Sequence, residues 1–94
     1  MLFAIHCLDK PDSTALRAQA RPAHLEYATR HADRIVLAGP MLSDDGKDMI
    51  GSLLVVDFPD KAAVERFALE DPYRKAGLFR SVEIRPFRKI FPRE

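Results

Sequence analysis

The chain begins with an almost unbroken apolar run, residues 1–8, which only His6 interrupts and which ends at the polar residues 9–12. The run has the length of a β-strand, and continuous apolarity is typical of a strand that is covered on both faces. A sheet built around such a strand needs a layer on each side. This requirement constrains the fold more than any other feature of the sequence.

The rest of the chain alternates between helical and extended patterns. Apolar residues recur every three or four positions in residues 14–32 and again in residues 61–70, which predicts two helices. Three further apolar runs have strand length, and a polar hairpin loop, residues 43–48, joins the first two. These strands are predicted at residues 35–38, closed by a turn at Gly39-Pro40, at residues 49–58, and at residues 81–91, where Pro86 indicates an edge strand or a bulge.

Pro22 interrupts the first predicted helix. A proline ring lacks an N–H and crowds the preceding helical turn, so we expect a kink or a restart of the helix near Arg21. A restart would place Pro22 at the first helical position, where proline is favoured, and His24 close to a helix N-terminus. There the helix dipole would favour the neutral, proton-accepting form of the imidazole.

The elements follow one another in the order β-α-β-β-α-β. That order predicts a ferredoxin-like α+β fold, in which a four-stranded antiparallel sheet carries two helices on one face. With 94 residues, the chain is expected to form a single domain spanning residues 1–94. The second face of the sheet then lacks a cover, and in so short a chain a second copy is the simplest one. We therefore predict a homodimer that buries sheet against sheet.

Charge and composition exclude several classes of function. Fifteen basic and 14 acidic residues leave a net charge of +1, which argues against nucleic acid or a membrane as a partner. No apolar run approaches the roughly 20 residues of a membrane-spanning helix, and no secretory signal pattern is expected. Cys7 is the single cysteine, so no intrachain disulfide can form and a cytoplasmic location is expected. The three histidines lack carboxylates at ligand spacing, so no metal or other cofactor is predicted.

Two short motifs carry residues that are suited to proton transfer. His24 ends the segment RPAH, residues 21–24, and Asp71 opens the segment DPY, residues 71–73. An imidazole exchanges protons near neutral pH, so His24 is a candidate general acid or base, although a structural, hydrogen-bonded histidine is an open alternative. A carboxylate beside it would fix its tautomer and stabilise the imidazolium. Asp-Pro also opens many turns, so Asp71 could cap backbone amides, and the two roles are compatible.

Other residues are candidates for substrate binding. Arg21 lies one helical turn before the histidine, so it could clamp a carboxylate or phenolate on the same side of the helix. Ser52 follows a glycine near the start of a strand, where packing and a hydrogen bond to a substrate are equally reasonable. Tyr73 is expected to form a wall of the pocket, and Gly39 and Pro40, in the turn after the second strand, are expected to border it as well.

Taken together, in this order and at these spacings, the motifs resemble the YciI-like family (YCII-related domain). The resemblance covers nearly the whole chain and rests on the segments Arg21-Pro22-Ala23-His24-Leu25, Ala38-Gly39-Pro40, Gly51-Ser52, Asp71-Pro72-Tyr73, Ala76-Gly77 and residues 86–91. It implies a ferredoxin-like fold that dimerises into an α+β barrel, and an active site centred on a His/Asp pair, His24 and Asp71. One branch of the family resembles a dehydrochlorinase acting on chlorinated hydroxyquinols, and muconolactone isomerases share the wider barrel fold.

The residues and the resemblance favour a small enzyme that needs no cofactor and acts on a small polar or aromatic metabolite. Lyase or isomerase chemistry of the dehydrochlorinase type suits this set, because it requires neither a covalent nucleophile nor a metal. His24 would move the proton, Asp71 would orient it, and Arg21 or Ser52 would steady oxyanion charge. Two alternatives remain open: a non-catalytic module that binds a metabolite or serves as an accessory dimer, and a structural domain that helps a larger enzyme to assemble.

Overall fold

The computed structural model describes residues 1–93. Within them, four strands, three α-helices and one 3₁₀ turn follow one another along the chain. None of these helices is long and apolar enough to cross a membrane. The elements are β1 (Leu2–Asp9), α1 (Thr14–Arg30), the 3₁₀ turn (Ala32–Arg34), β2 (Ile35–Leu42), β3 (Met49–Asp57), α2 (Lys61–Leu69), α3 (Pro72–Lys75) and β4 (Phe79–Phe87).

The four strands form one antiparallel sheet in the order β2-β3-β1-β4. β1 therefore lies inside the sheet, paired with β3 on one side and with β4 on the other. This arrangement confirms the predicted ferredoxin-like α+β fold and the central place of the first apolar run. Helix α3, which the sequence indicated only as a turn, adds one short helix to the predicted set.

The core lies between the sheet and the two longer helices. Every second side chain of β1 faces these helices, and three of these, Phe3, Ile5 and Cys7, are at most 3% exposed. Burial of a large apolar side chain contributes roughly 1.5–3 kcal/mol. Tyr27 of α1 packs into the same core, together with Val64 and Phe67 of α2. This packing holds α1 and α2 on one face of the sheet.

Pro22 does not end α1. The helix is continuous, so the predicted restart is wrong and His24 lies in the middle of the helix instead of near its N-terminus. An internal proline costs a helix about 3 kcal/mol through a lost hydrogen bond and a steric clash. Contacts on both sides of Pro22 offset that cost. Arg17 is bound to the end of β1, and the Tyr27 hydroxyl donates a hydrogen bond to a backbone carbonyl of α2 at 2.8 Å.

Both edge strands contain a proline. The sequence predicts a turn at Gly39-Pro40, but the structure places these residues inside β2, where they pair with β3. β2 is an edge strand, which tolerates the missing N–H of proline better than a central strand does. The last strand spans Phe79–Phe87 and so begins and ends earlier than the predicted residues 81–91. β4 is the other edge of the sheet, as Pro86 indicated.

The second face of the sheet carries apolar side chains that no helix of residues 1–93 covers. Leu53 of β3 pairs with His6, which alternates with the buried residues of β1, so both side chains point away from the helices. Leu37 of β2 points to the same side. Leu37 and Leu53 are 54% and 36% exposed. The open face is therefore the side on which β1 still needs a second layer.

Cys7 should be inert in the folded protein. Burial, to which the nearby charge of Asp71 adds, raises the pKa of its thiol to about 12. At pH 8 the reactive thiolate is then about a thousandfold scarcer than in an unfolded chain. We expect native protein to resist alkylation by iodoacetamide at pH 8, and protein unfolded in urea to react like a free thiol. Rapid alkylation of the native protein would contradict the buried position of Cys7.

Candidate active site

His24 and Asp71 meet between α1 and α3. The His24 Nδ1 atom lies 3.0 Å from Oδ1 of Asp71, within hydrogen-bond distance. Asp71 is 6% exposed and also caps α3, because its Oδ1 accepts a hydrogen bond from the backbone N–H of Tyr73 at 2.9 Å. Pro72 occupies the first helical position, where its missing N–H is no loss. Asp71 thus combines the capping role with the contact to His24.

The contact with Asp71 determines which nitrogen of His24 is free. An ionised carboxylate only accepts hydrogen bonds, so Nδ1 must carry the proton, and in the neutral imidazole Nε2 keeps its lone pair. Nε2 has no hydrogen-bond partner among residues 1–93, and in this range no fully buried polar side-chain atom lacks one. Nε2 is therefore accessible. It can accept a proton from a molecule bound beside it.

The ring of Tyr73 packs against two nitrogen bases. It lies 4.0 Å from the ring of His24, with 16° between the planes, and its centre is 4.5 Å from the guanidinium carbon of Arg17. A guanidinium over an aromatic face is a favourable cation–π contact. Burial raises the pKa of the Tyr73 hydroxyl, and the positive charges of Arg17 and Arg21 oppose that rise. The hydroxyl therefore keeps its proton at neutral pH.

Arg17, which the predicted set omits, lies buried at the centre of the site. Its Nε and Nη2 donate to the two carboxylate oxygens of Asp9 at 2.7 and 3.0 Å, and Nη2 also donates to Oγ of Ser52 at 2.8 Å. Burial disfavours the positive charge, but the hydrogen bonds and charge of Asp9 outweigh burial and raise the pKa of Arg17. The guanidinium is consequently a permanent positive charge in the site.

The spacing of α1 contains a signal for Arg17. It precedes Arg21 by four residues and His24 by seven, and residues at these separations share one face of an unbroken helix. The predicted restart at Pro22 hid this periodicity, because it assigned Arg17 and His24 to different helical segments. Asp9 gave no comparable signal, since a carboxylate after a strand is common in loops.

Gly51 sets the position of Ser52. β3 approaches β1 so closely here that a Cβ atom on Gly51 would collide with the carbonyl oxygen of Cys7. Ser52 pairs with Cys7, whose side chain faces the helices, so the serine hydroxyl also lies on that side of the sheet. There it accepts the hydrogen bond from Arg17. Ser52 is thus tied into the polar network of the site.

A cavity of about 490 Å³ opens between α1 and the sheet beside these residues. Its polar lining consists of Arg17, Arg21, His24, Ser52, Tyr73 and Thr29. Gly39 and Pro40 of β2 also line it, together with the apolar residues Leu25, Ala28, Ala32, Ile35, Ala38, Met49 and Leu54. Every residue of the predicted set except Asp71 therefore borders this cavity. Asp71 is not part of the lining and is connected to the cavity only by its contact with His24.

Comparison by sequence finds relatives along almost the whole chain. A family model described as the YCII-related domain matches residues 1–88. The protein YciI from Escherichia coli is 37% identical over 98 residues, an alignment that covers 97% of this chain and all of that protein. The match agrees with the family that the sequence motifs resemble.

Comparison of structures finds a similar enzyme. The 5-chloro-2-hydroxyhydroquinone dehydrochlorinase of Burkholderia phenoliruptrix, solved in complex with 2,5-dihydroxybenzoquinone, superposes with a TM-score of 0.87. It is 35% identical in sequence, and the superposition covers 94% of each chain. An antibiotic biosynthesis monooxygenase, 16% identical with a TM-score of 0.54 over 95% of this chain and all of that one, shows the fold alone.

Asp71→Ala should destabilise the protein more than loss of an ordinary helix cap. Asp60 offers the matched control, because it is exposed and its Oδ1 caps α2 by accepting a hydrogen bond from the backbone N–H of Ala63 at 2.9 Å. We expect Asp60→Ala to lower the free energy of unfolding by about 1 kcal/mol. Asp71→Ala should lower it by about 2 kcal/mol or more, since it also leaves His24 without its buried partner. Equal losses in urea denaturation would show that the contact with His24 contributes nothing to stability.

Proposed function

This chain belongs to the YCII-related domain family, and we propose that it is a small enzyme that transfers a proton on a small polar or aromatic metabolite without a cofactor. The observation that carries the proposal is the His24–Asp71 contact of 3.0 Å, which leaves Nε2 of His24 accessible beside the cavity. A base held in one tautomer next to a space that can hold the substrate is the minimum that proton transfer requires.

The proposed reaction begins when Nε2 of His24 takes a proton from an enol or phenol hydroxyl of the substrate. The electron pair of the broken O–H bond stays on the oxygen as an enolate, and Asp71 stabilises the imidazolium that forms. In an isomerase, the imidazolium delivers the proton to a ring carbon and the enolate becomes a ketone. In a lyase, that carbon bears a leaving group such as chloride. A second hydroxyl then loses its proton and becomes a carbonyl, a new C=C bond forms, and chloride departs with its own bonding pair. Both reactions therefore proceed without an oxidant or a reductant.

The dehydrochlorinase that this chain resembles supports a lyase that acts on a hydroxylated ring. The cavity volume of about 490 Å³ falls within the usual range for small-molecule sites. Its apolar walls suit the faces of a ring, and Arg21, Ser52 and Tyr73 supply polar contacts to substituents. Gly39 and Pro40 would form the wall on the β2 side.

We also propose that the protein is a homodimer that works in the cytoplasm. The open sheet face exposes Leu37 and Leu53 beside His6 of β1 and Glu83 of β4, and a second copy would give β1 its missing layer. A single cysteine, buried and without a partner, suits a reducing compartment.

His24→Gln tests the base directly. With 5-chloro-2-hydroxyhydroquinone, the substrate of the similar enzyme, we expect the rate of chloride release to fall at least about 100-fold. His31→Gln is the control, because this histidine ends α1 outside the cavity lining and its Nδ1 contacts the carbonyl oxygen of Tyr27 at 2.9 Å. It should retain nearly full activity. Unchanged activity in His24→Gln would rule out the proposed base, and saturable binding without turnover by the wild type would favour a binding module.

Asp71→Asn separates the charge of Asp71 from its cap. The amide oxygen can still accept the hydrogen bond from the backbone of Tyr73, so stability should change little. The same oxygen also accepts from Nδ1 of His24, so the tautomer is kept while the imidazolium loses its counter-charge. Chloride release should therefore fall about 10-fold or more. An activity close to that of the wild type would show that Asp71 is only a helix cap.

Leu53→Glu should separate the proposed dimer. A carboxylate at this position would have to leave water when the two sheets pack together, which is strongly unfavourable. Leu69→Glu is the control, because Leu69 is 51% exposed at the end of α2 on the helix side of the protein. Sedimentation should give a dimer for the wild type and Leu69→Glu and a monomer for Leu53→Glu. A monomeric wild type at micromolar concentration would disprove the dimer.

A further inference from the structure

Two polar groups of the site have no role in the proton transfer described above. Both belong to side chains that are almost completely buried: Arg17 is 4% exposed and Tyr73 is 1% exposed. Both line the cavity. A buried cation and a buried hydroxyl are costly to keep in a core unless their donors find acceptors.

The donors of Arg17 are only partly used. A guanidinium has five N–H groups. The N–H of Nε and one N–H of Nη2 bind Asp9, and the second N–H of Nη2 binds Ser52. Apart from a contact between the guanidinium and the Tyr73 hydroxyl, the two N–H groups of Nη1 have no hydrogen-bond partner among residues 1–93. Because no fully buried polar side-chain atom in this range lacks a partner, Nη1 must be accessible, and the cavity is the space that Arg17 borders.

The hydroxyl of Tyr73 is in the same situation. Among residues 1–93 its hydrogen-bonding neighbour is the guanidinium of Arg17, from which the oxygen accepts, so the O–H proton remains to be donated and Tyr73 borders the cavity. It lies close enough to Arg17 for the guanidinium to lower the pKa of the hydroxyl against the effect of burial. The unused N–H groups of Arg17 and the O–H of Tyr73 are therefore neighbouring donors on one wall of the cavity.

We propose that Arg17 and Tyr73 form an oxyanion site, which selects a planar substrate that carries an ionised enol or phenol oxygen. This inference rests on the proposed function and names the substrate class for the same cavity. Asp9 is a positioning residue: its bidentate contact holds the guanidinium in place and leaves Nη1 to the ligand. A charged donor and a neutral donor that converge on one oxygen would hold the negative charge that an enolate develops.

The charges of the lining favour an anion over a neutral ligand. The carboxylates nearest the cavity, Asp9 and Asp71, are each already paired with a nitrogen base, and neither is part of the lining. Arg17 and Arg21 both border the cavity, so its walls carry two positive charges and no carboxylate. When an ionised oxygen leaves water, the fixed donors of the cavity replace the hydrogen bonds that it loses. An ether oxygen has no charge, so it cannot benefit from the positive charge of the arginines.

Binding measurements with two related quinones test the oxyanion site. 2,5-Dihydroxybenzoquinone, the ligand of the similar dehydrochlorinase, is acidic and ionised at neutral pH, and its dimethyl ether has the same ring without an ionisable group. Wild-type protein should bind the ionised quinone about 10- to 100-fold more tightly than the ether in calorimetric titrations. Arg17→Gln combined with Asp9→Asn removes the charge without leaving a lone buried carboxylate. This double variant should lose most of the preference by weakening binding of the ionised quinone alone.

Two further variants complete the test. Tyr73→Phe should weaken binding of the ionised quinone severalfold and leave the ether unchanged. Arg66→Gln removes the same charge from the exposed face of α2 and should keep the full preference. The preference is measured by binding alone, so a wild type that shows it without releasing chloride would overturn the proposed catalysis and leave the oxyanion site standing. Equal binding of the two quinones by the wild type, no binding of either, or equal weakening of both in the double variant would each overturn the proposal.

Discussion

The buried ion pair between Arg17 and Asp9 is the interaction on which the site depends. Two charges that have left water must stay together, because removal of either would leave an unpaired buried charge at a cost of several kcal/mol. The bidentate contact fixes α1 against the end of β1 and thereby restricts rotation of the helix about its axis. His24, two helical turns further on, is then directed towards Asp71 on α3. One contact near the start of the helix thus places the pair proposed to transfer the proton.

Local patterns made much of the fold predictable. The apolar run of β1 indicated the inner strand, because a strand with two apolar faces is stable only where both faces can be covered. The Asp-Pro dipeptide indicated a cap, since Asp71 needs only its next two residues to make one. The approach of Asp71 to His24 required the order of elements, which sets both helices on one face, and the resemblance to a family. Periodicity alone could not have identified the pair.

The features that the sequence did not predict are those in which a distant contact overrides a local preference. Pro22 favours a new helix, but Arg17 and Tyr27 attach the two halves of α1 to different parts of the core and keep them in line. The dipeptide Gly39-Pro40 favours a turn, but an edge strand accepts it because only one side of the strand must form a ladder. Both errors have the same cause. Propensity describes a segment in isolation, whereas the folded structure also depends on contacts with distant segments.

The two buried carboxylates show how one arrangement can serve two chemical purposes. Asp9 and Asp71 each bind a nitrogen base that packs against Tyr73. The base beside Asp9 is a guanidinium, which cannot release its proton, so this pair maintains a fixed charge. The base beside Asp71 is an imidazole, whose second ring nitrogen has a lone pair in the neutral form, so this pair can accept a proton during a reaction. A substrate that lost a proton to His24 would leave its electrons on an oxygen, and the fixed charge beside Tyr73 lies where that oxygen could be bound.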